Sequence, residues 1–392
     1  MRIGMILDKT FPPDPRVQNE AIELIKAGHE VFLFCLTYTT NEPSEEFINE
    51  IKVKRYKSNK LEYKLSALAY TIPLYSILMK KKISHFLNKY AIEAIHVHDI
   101  VVAEAVLLAN KKKQIPFILD LHENRPEIMK FYPHLKKFPQ SILISTNKWK
   151  KKEEEFIKKA SKLIVVTEEA KKEILERVKI ASKKIFIVPN TVRNSFFKSL
   201  NKLKKHTAKN SFNLLYIGDT GERRGLKTVI KSLPVLKKDI KNIKIVIVGN
   251  VNYDLKALVK DLDVEQYVSF EGWQNEMTFP SYISNSDVCL SPLHRNIHHD
   301  TTHANKLFQY MSLGKPLLVS NAIAQKNLIK RVEAGLVHEE KNVSDFTKKV
   351  LTLYKEEQLR ERLGKNGETF VRNEFTWDKT SKELINLYNS LN

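Results

Sequence analysis

The chain has 392 residues, a length that suits two domains better than a single hydrophobic core. Its hydrophobic share of 42% excludes a disordered chain, and its net charge of +21 is spread over both halves rather than collected in a basic tail. With no DNA- or RNA-binding module visible, we expect no nucleic-acid partner. The two cysteines, Cys35 and Cys289, lie in apolar runs and predict buried thiols in a reducing compartment.

The first residues lack the features of a signal peptide, and the longest uncharged apolar stretch, Leu65–Met79, is shorter than the ~20 residues that span a bilayer. We therefore expect a cytoplasmic protein. Lysines flank this stretch, at Lys64 and at 80–82, and a second group lies at 148–152 with Trp149. These segments predict either solvated helix ends around a core-packed helix or a peripheral contact with the inner, anionic face of the plasma membrane.

Short apolar runs alternate with amphipathic segments along the first half, which is typical of a parallel α/β sheet. The predicted strands, in chain order, are RIGMIL, VFLFCL, AIHVHD, PFILDLH, KLIVVT and KIFIVPN. Predicted helices separate them, among them Asn19–Ala27, which ends at Gly28. Strands joined by helices are expected to pair in parallel through right-handed crossovers.

After a basic linker at about 191–210 the pattern restarts. Predicted strands are FNLLYIG, IKIVIVGN, YVSFEG, DVCLSPL and PLLVSN, with helices at 225–237 and 305–313, the second ended by Gly314. The pattern predicts two Rossmann-like domains, at 1–192 and 193–375. Ligands bind beyond the carboxyl ends of such strands, so we expect the site in a central cleft that the two domains face.

Polar residues follow the predicted strands of the first half. Arg16 stands near the start of the first helix and is either a ligand for an anionic or hydroxylated molecule or an exposed surface arginine. His98 and Asp99 end one strand, and His122 ends the next, where an imidazole can donate and accept near neutral pH. Asp120 is a candidate partner for one of these histidines.

In the second half, two segments predict a phosphate site. The loop GDTGERRGL, with Thr220, Arg223 and Arg224, opens a helix, although the arginines could also be surface residues. The segment DTTHANKLFQYMSLGKP carries the remaining candidates, which are Thr302, Asn305, Lys306 and Gln309. A lysine in the first turn of a helix opposes the helix dipole, so Lys306 indicates a bound anion there. Neither segment is a dinucleotide-binding or ATP-hydrolysing fingerprint.

The order and spacing of these segments resemble the retaining family 4 glycosyltransferases of the GT-B fold. The similar segments are FPPDPRVQNEAIELIKAGHEV, IHVHD, ILDLHE, VVTEEAK, IVPNTV, YIGDTGERRGL, FEGW, SDVCLSPL and NKLFQYMSLGKPLLVS. The ending EFTWDKTSKELINLY resembles the helix, here at 376–392, that returns to the first domain in this family.

The resemblance implies a hexosyltransferase that takes a sugar from a nucleotide-diphosphate donor, with retention and without an obligatory metal or other cofactor. It assigns donor binding to Arg224, Asn305 and Lys306 and handling of the donor sugar to His122. The acceptor side, with Arg16 and Asp99, would be the first domain. The acceptor would be a glycan or a lipid-linked glycan in cell-surface polysaccharide synthesis.

Three positions depart from the family pattern. The paired glutamates of the family fall at Thr301 and Gln309, and the usual arginine after the first glycine of the loop is Asp219. The alternatives to a competent transferase are a weakened relative that only binds nucleotide sugar and a sugar-nucleotide epimerase of the same fold.

Overall fold

The computed structural model describes residues 1–132, 135, 137–138, 140–192 and 211–391. These residues form two compact units. The first comprises Met1–Pro189 together with Ser381–Asn392, and the second comprises Asn190–Thr380. Most of the predicted basic linker, 193–210, lies outside the described residues.

The first unit is built on an eight-stranded sheet with the order β3-β4-β2-β1-β5-β6-β7-β8. Neighbouring strands are parallel, except that β3 runs antiparallel to β4. The strands are β1 (Arg2–Ile6), β2 (Glu30–Thr37), β3 (Glu45–Ile48), β4 (Ile51–Lys57), β5 (Ala94–His98), β6 (Phe117–Leu121), β7 (Lys162–Val165) and β8 (Ile185–Ile187).

In the described part of the first unit, eight α-helices precede β8 in the chain. They are α1 (Pro15–Lys26), α2 (Lys60–Ser66), α3 (Leu74–Lys89), α4 (Ala103–Asn110), α5 (Arg125–Met129), α6 (Gln140–Leu143), α7 (Thr146–Lys159) and α8 (Glu168–Arg177). Local chemistry sets the start of α1, because the Asp14 carboxylate accepts a hydrogen bond from Val17 N–H and Pro15 occupies the first turn. Buried side chains of α3, α4, α5, α7 and α8 pack with the sheet in one core.

The second unit has a parallel six-stranded sheet with the order β11-β10-β9-β12-β13-β14. The strands are β9 (Phe212–Ile217), β10 (Ile243–Val248), β11 (Val268–Gly272), β12 (Val288–Ser291), β13 (Leu317–Ser320) and β14 (Gly335–His338). The helices are α9 (Leu226–Asp239), α10 (Tyr253–Asp261), α11 (Phe279–Ser284), α12 (Ile297–Thr301), α13 (Asn305–Ser312), α14 (Ile323–Val332), α15 (Val343–Lys355), α16 (Glu357–Glu374) and α17 (Trp377–Thr380).

The last helix, α18 (Lys382–Asn389), belongs to the first unit. Its apolar face, Leu384, Leu387 and Tyr388, is fully buried. The Tyr388 hydroxyl lies 3.0 Å from Nδ1 of His96 in β5. The end of the chain therefore completes the core of the unit in which the chain begins.

The predicted α/β class and the predicted strands are confirmed, and both cysteines are buried, as predicted. Three strands were not predicted. β3 and β4 carry many charged side chains, and β14 is a run of only four residues that begins with a glycine. The first helix begins at Pro15, four residues earlier than predicted. Every helix in the described part of the chain is too short or too polar to pass through the hydrocarbon core of a bilayer.

Candidate functional site

A cavity of about 500 Å³ opens at the carboxyl ends of β9 and β10 in the second unit. Its walls come from the residues that follow these strands, from the loop after β11 and from the first turns of α13. This is the edge at which parallel α/β sheets bind ligands, and the volume suits a small organic molecule.

Two glycines keep the floor of the cavity open. Gly218 follows β9 with φ 133° and Gly249 follows β10 with φ 141°, a region that side-chain-bearing residues rarely adopt. A Cβ atom on Gly249 would lie 2.1 Å from the carbonyl oxygen of Gly218. The two strand ends can approach each other this closely because Gly249 carries no side chain.

The start of α13 faces this cavity with Asn305 and Lys306. Ala304 precedes the helix and offers no side chain to cap it, and no hydrogen bond from the backbone N–H of Asn305 or Lys306 is found within the described chain. Uncapped amides at a helix start, with the positive end of the helix dipole, suit an anionic ligand.

Lys306 is 9% exposed, and its Nζ lies 3.7 Å from the centre of the Tyr216 ring. Among the described residues no carboxylate lies within ion-pair distance of this ammonium group. Burial, with the nearby charge of Arg224, holds the pKa of Lys306 well below its usual value. A bound anion would supply the negative charge that Lys306 lacks among the described residues of the protein.

Arg224 also lines the cavity, where its Nε donates to Oδ2 of Asp219 at 3.2 Å. Burial opposes ionisation of Asp219, but the N–H of Gly221 and the charge of Arg224 outweigh it and lower the pKa of this carboxyl. Asp219 replaces the arginine that is usual in the family at this position. Its carboxylate orients Arg224.

Gln309 lies one turn into α13 on the same side as Asn305 and also lines the cavity. Its Nε2 donates to Oε1 of Glu276 at 2.9 Å. A carboxylate from another part of the chain therefore lies next to position 309. Glu276 was not identified from the sequence, because it lies 33 positions away.

Three predicted donor-binding residues do not line the cavity. Thr220 is buried, and its hydroxyl bonds to the carbonyl of Asn250 and the N–H of Asn252, so it shapes the loop. The Thr302 hydroxyl donates to the carbonyl of His298. Arg223 lies next to the cavity residue Arg224 but is itself outside the cavity wall.

The first unit holds a buried charged network at the carboxyl ends of β5 and β6. Arg16 is 9% exposed, so it is not the exposed surface arginine that was one alternative. Its guanidinium binds both oxygens of Asp120, at 3.0 and 2.9 Å, and also contacts Glu20 and the carbonyl of Val188. These contacts within the protein use the donors that an acceptor would need.

Asp120 is confirmed as a partner of the histidines. Its Oδ2 lies 3.2 Å from Nδ1 of His98 and 3.3 Å from Nδ1 of His122. The other ring nitrogen of His122, Nε2, lies 3.3 Å from Oδ2 of Asp99, whose backbone has φ 62°. Both nitrogens of His122 therefore face carboxylates.

Two carboxylates change the protonation of His122. Burial disfavours the charged imidazole, but Asp99 and the hydrogen bond to Asp120 outweigh it and raise the pKa of His122 to about 9. For Asp99, burial dominates over the attraction of His122 and raises the pKa to about 6. At neutral pH His122 is therefore an imidazolium that lies between the carboxylates of Asp99 and Asp120.

Four buried side chains of this network, Glu20, His96, His98 and Asp120, bring donor atoms within 4.8 Å of one another. Such a set could hold a metal ion. Arg16 already contacts both carboxylates at 2.9 Å and provides the positive charge that a metal would bring. We therefore assign a structural role, rather than metal binding, to this cluster. Glu20 and His96 were not singled out from the sequence, because each lies inside a regular helix or strand.

Family models match both halves of the chain. Residues 16–195 match the model described as Glycosyltransferase Family 4, and residues 198–370 match Glycosyl transferases group 1.

Relatives of the chain share low identity with it. It is 23% identical over 199 residues to the capsular polysaccharide biosynthesis glycosyltransferase CapM of Staphylococcus aureus, covering 48% of this chain and 50% of CapM. It is 24% identical over 166 residues to a GDP-mannose-dependent alpha-(1-6)-phosphatidylinositol monomannoside mannosyltransferase of Mycobacterium tuberculosis, covering 41% and 43%. The matched segments thus span about half the length of these relatives.

Solved structures resemble the chain over its whole length. Sucrose-phosphate synthase from Thermosynechococcus elongatus superimposes with a TM-score of 0.76 at 16% identity, covering 100% of this chain and 98% of that one. Anabaena HepE in complex with UDP superimposes with a TM-score of 0.71 at 13% identity and full coverage of both chains. These likenesses establish the GT-B fold. With family matches in both halves, the chain belongs to the glycosyltransferases that join a family 4 domain to a group 1 domain.

Proposed function

We propose that the protein transfers a sugar from a nucleotide-diphosphate donor to a glycan or lipid-linked glycan during cell-surface polysaccharide synthesis. The observation that carries this proposal is the ammonium group of Lys306, which is buried at an uncapped helix start, beside a cavity, without a carboxylate partner in the described chain. Similarity to the glycosyltransferase CapM supports the reaction class.

In this proposal the donor diphosphate binds Lys306, Arg224 and the amides at the start of α13. Charge-assisted hydrogen bonds of this kind are about twice as strong as neutral ones. The exposed ring of Trp273, at the rim of the same cavity, offers a surface on which a nucleobase can stack. The side-chain oxygen of Gln309, with Glu276 beside it, would accept hydrogen bonds from ribose hydroxyls.

The chemical step breaks the bond between the anomeric carbon and the phosphate oxygen and forms a bond from that carbon to the acceptor oxygen. The acceptor proton goes to the departing phosphate, and attack on the same face retains the anomeric configuration. Lys306 and Arg224 would stabilise the negative charge that grows on the leaving diphosphate. We propose that these cations make a divalent metal dispensable, so that turnover persists in the presence of a chelator.

We propose that His122 acts as a fixed cation. Its nitrogens face Asp99 and Asp120, which leaves no ring nitrogen free to act as a base in this arrangement. Its positive charge would favour the negatively charged donor, and Asp99 would bind an acceptor hydroxyl. Arg16 would hold Asp120 in place rather than touch the acceptor.

The experiment that tests the proposal replaces Lys306 with methionine, which keeps the apolar stem against Tyr216 and removes the charge. Titration calorimetry with UDP, GDP and ADP should find a nucleotide that binds the wild type. Lys306→Met should weaken that binding at least tenfold, because a hydrogen bond to a charged group contributes about 1.5–3 kcal/mol. The same variant should unfold at a higher temperature without ligand, because burial disfavours the charged form of Lys306 and lowers its pKa, whereas methionine carries no such cost.

Lys241→Met is the matched control, since Lys241 is exposed on the same unit away from the cavity. It should change neither binding nor stability. Equal nucleotide affinity in Lys306→Met and wild type would refute the donor site. The configuration of a product glycoside, read by NMR, tests retention. Isomerisation of the donor without an acceptor would indicate the epimerase instead.

A further inference from the structure

Exposed apolar side chains are concentrated on two segments of the first unit. One segment covers α2 and the start of α3, and the other covers the residues around α6. Their exposed fractions run from 39% at Ile72 to 80% at Phe138. The set is Leu61, Tyr63, Ile72, Leu74, Ile77, Phe138, Ile142 and Leu143. None of the residues of α2 is buried, so this helix has an apolar surface that the core does not use.

The two segments are neighbours in the fold. The Thr71 hydroxyl donates to the carbonyl of Leu143 at 2.6 Å, and Tyr70 packs edge-on against Trp149 with ring centres 4.6 Å apart. The N–H of Ser141 donates to the carbonyl of Lys137, which joins Lys137 and Phe138 to α6. Two segments that are distant in the sequence, with a separation of 72 positions between Thr71 and Leu143, therefore contribute to one surface.

The same segments carry unpaired positive charge. Exposed lysines lie among or beside the apolar residues, and no carboxylate in the described chain pairs with them. They are Lys60, Lys64, Lys80, Lys81, Lys137, Lys148 and Lys151. On α3, Lys80 and Lys81 follow Ile77 by three and four positions, so apolar and basic side chains share one helix face. Glu62, the acidic residue within 60–82, is already bound by Lys82.

We propose that this apolar-basic face, made of these eight apolar residues and seven lysines, docks on an anionic lipid bilayer. Apolar side chains would enter the boundary between headgroups and acyl chains while the lysines contact lipid phosphates. A soluble polyanion would use the lysines but would gain nothing from exposing Phe138, Ile142 and Leu143. The inference concerns the first unit alone and goes beyond donor binding, although it favours a lipid-linked acceptor if the proposed transfer is correct.

Vesicle flotation of the full chain tests this docking. The wild type should float with phosphatidylcholine vesicles that contain 30% phosphatidylglycerol. It should remain in the bottom fraction when the vesicles contain phosphatidylcholine alone. Lys80→Gln/Lys81→Gln should weaken binding by about fivefold per lysine removed, since each contributes ~1 kcal/mol near an anionic surface. Phe138→Ser/Ile142→Ser, which keeps every charge, should also weaken binding severalfold.

Matched controls are Lys238→Gln/Lys241→Gln, which removes the same charge from the second unit, and Phe47→Ser/Tyr253→Ser, at residues 70% and 83% exposed elsewhere. Both controls should float like the wild type. Absence of wild-type binding to anionic vesicles would overturn the proposal. So would equal binding by the Phe138→Ser/Ile142→Ser variant, which would indicate a purely electrostatic partner such as a soluble polyanion. Nucleotide titration of each variant shows separately whether the donor site is intact.

Discussion

At the scale of single residues, neighbours decide what a side chain can do. His122 was predicted to handle substrate because a histidine at the end of a strand can donate and accept. In the fold both ring nitrogens face carboxylates, Asp99 at 3.3 Å and Asp120 at 3.3 Å. Sequence spacing could indicate Asp120, two positions away, as a partner. It could not show that Asp99, from another strand, faces the second nitrogen.

The imidazolium of His122 predicts a pH-dependent stability. Its pKa in the folded protein, about 9, is above the ordinary 6.5, so its contribution is fully present below pH 6.5 and is lost as the pH rises through about 9. We expect the wild type to have a larger free energy of unfolding than His122→Gln, as measured with urea between pH 6.5 and 9.5. The difference between the two proteins should be largest at pH 6.5. The difference should shrink as the pH rises.

His85→Gln serves as the control, because His85 is exposed on α3. It should follow the wild type at every pH. A constant difference between wild type and His122→Gln across this range would show that the imidazole is not held in its charged form.

Lys306 illustrates the opposite case, in which the sequence was informative. A lysine in a first helical turn is locally unfavourable, and that local conflict indicated an anion site. The structure adds what the pattern could not contain, namely burial against Tyr216 and the absence of a carboxylate among the described neighbours. At Gln309 the sequence indicates only the loss of a charge, whereas the structure places the carboxylate of Glu276 beside this residue.

At the scale of elements, apolar periodicity predicted the strands that lie in the middle of each sheet. These strands are buried on both faces and read as continuous apolar runs. The edge strand β3 and its neighbour β4 carry several charged residues, and burial alternates from one position to the next along each, so the same signal is absent. Helix boundaries followed from local chemistry where it was strong, as at Gly314, which has φ 65° after α13.

The ends of β9 and β10 provide a test at this scale. We expect Gly249→Ala to lower stability by more than 2 kcal/mol and to abolish nucleotide binding, because its Cβ would collide with the carbonyl of Gly218 at the cavity floor. Thermal unfolding and nucleotide titration measure the two effects.

Gly28→Ala is the matched substitution, since Gly28 also has a positive φ, 87°, but nothing within 4 Å of an added Cβ. It should cost about 1 kcal/mol from backbone strain alone and leave binding unchanged. Equal losses in the two variants would show that close approach of the strand ends is unimportant.

At the scale of the whole molecule, the chain builds separate cores in its two units. The core of the first unit is distinct from the clusters described in the second, and all residues lining the cavity at the ends of β9 and β10 belong to the second. The proposed donor site and the apolar-basic face therefore lie on different units of the chain.

This division predicts how a ligand changes unfolding. A nucleotide at 100 times its dissociation constant should stabilise the second unit by about 2.7 kcal/mol. Hydrogen exchange measured by mass spectrometry should then slow in β9, β10 and α13. Exchange in β1, β5 and β6 should change less. Uniform slowing throughout the chain would show that the two units unfold as one.

The order of apolar and amphipathic runs determined the α/β class, the doubling of the fold and the positions of most strands, because periodicity and turn chemistry act between near neighbours. The family resemblance added the reaction class. The tertiary structure alone decided that Arg16 holds Asp120, that Glu276 meets Gln309 and that α6 lies beside the α2–α3 segment. These pairs are far apart in the chain, and charge, burial and hydrogen bonding depend on distance in space.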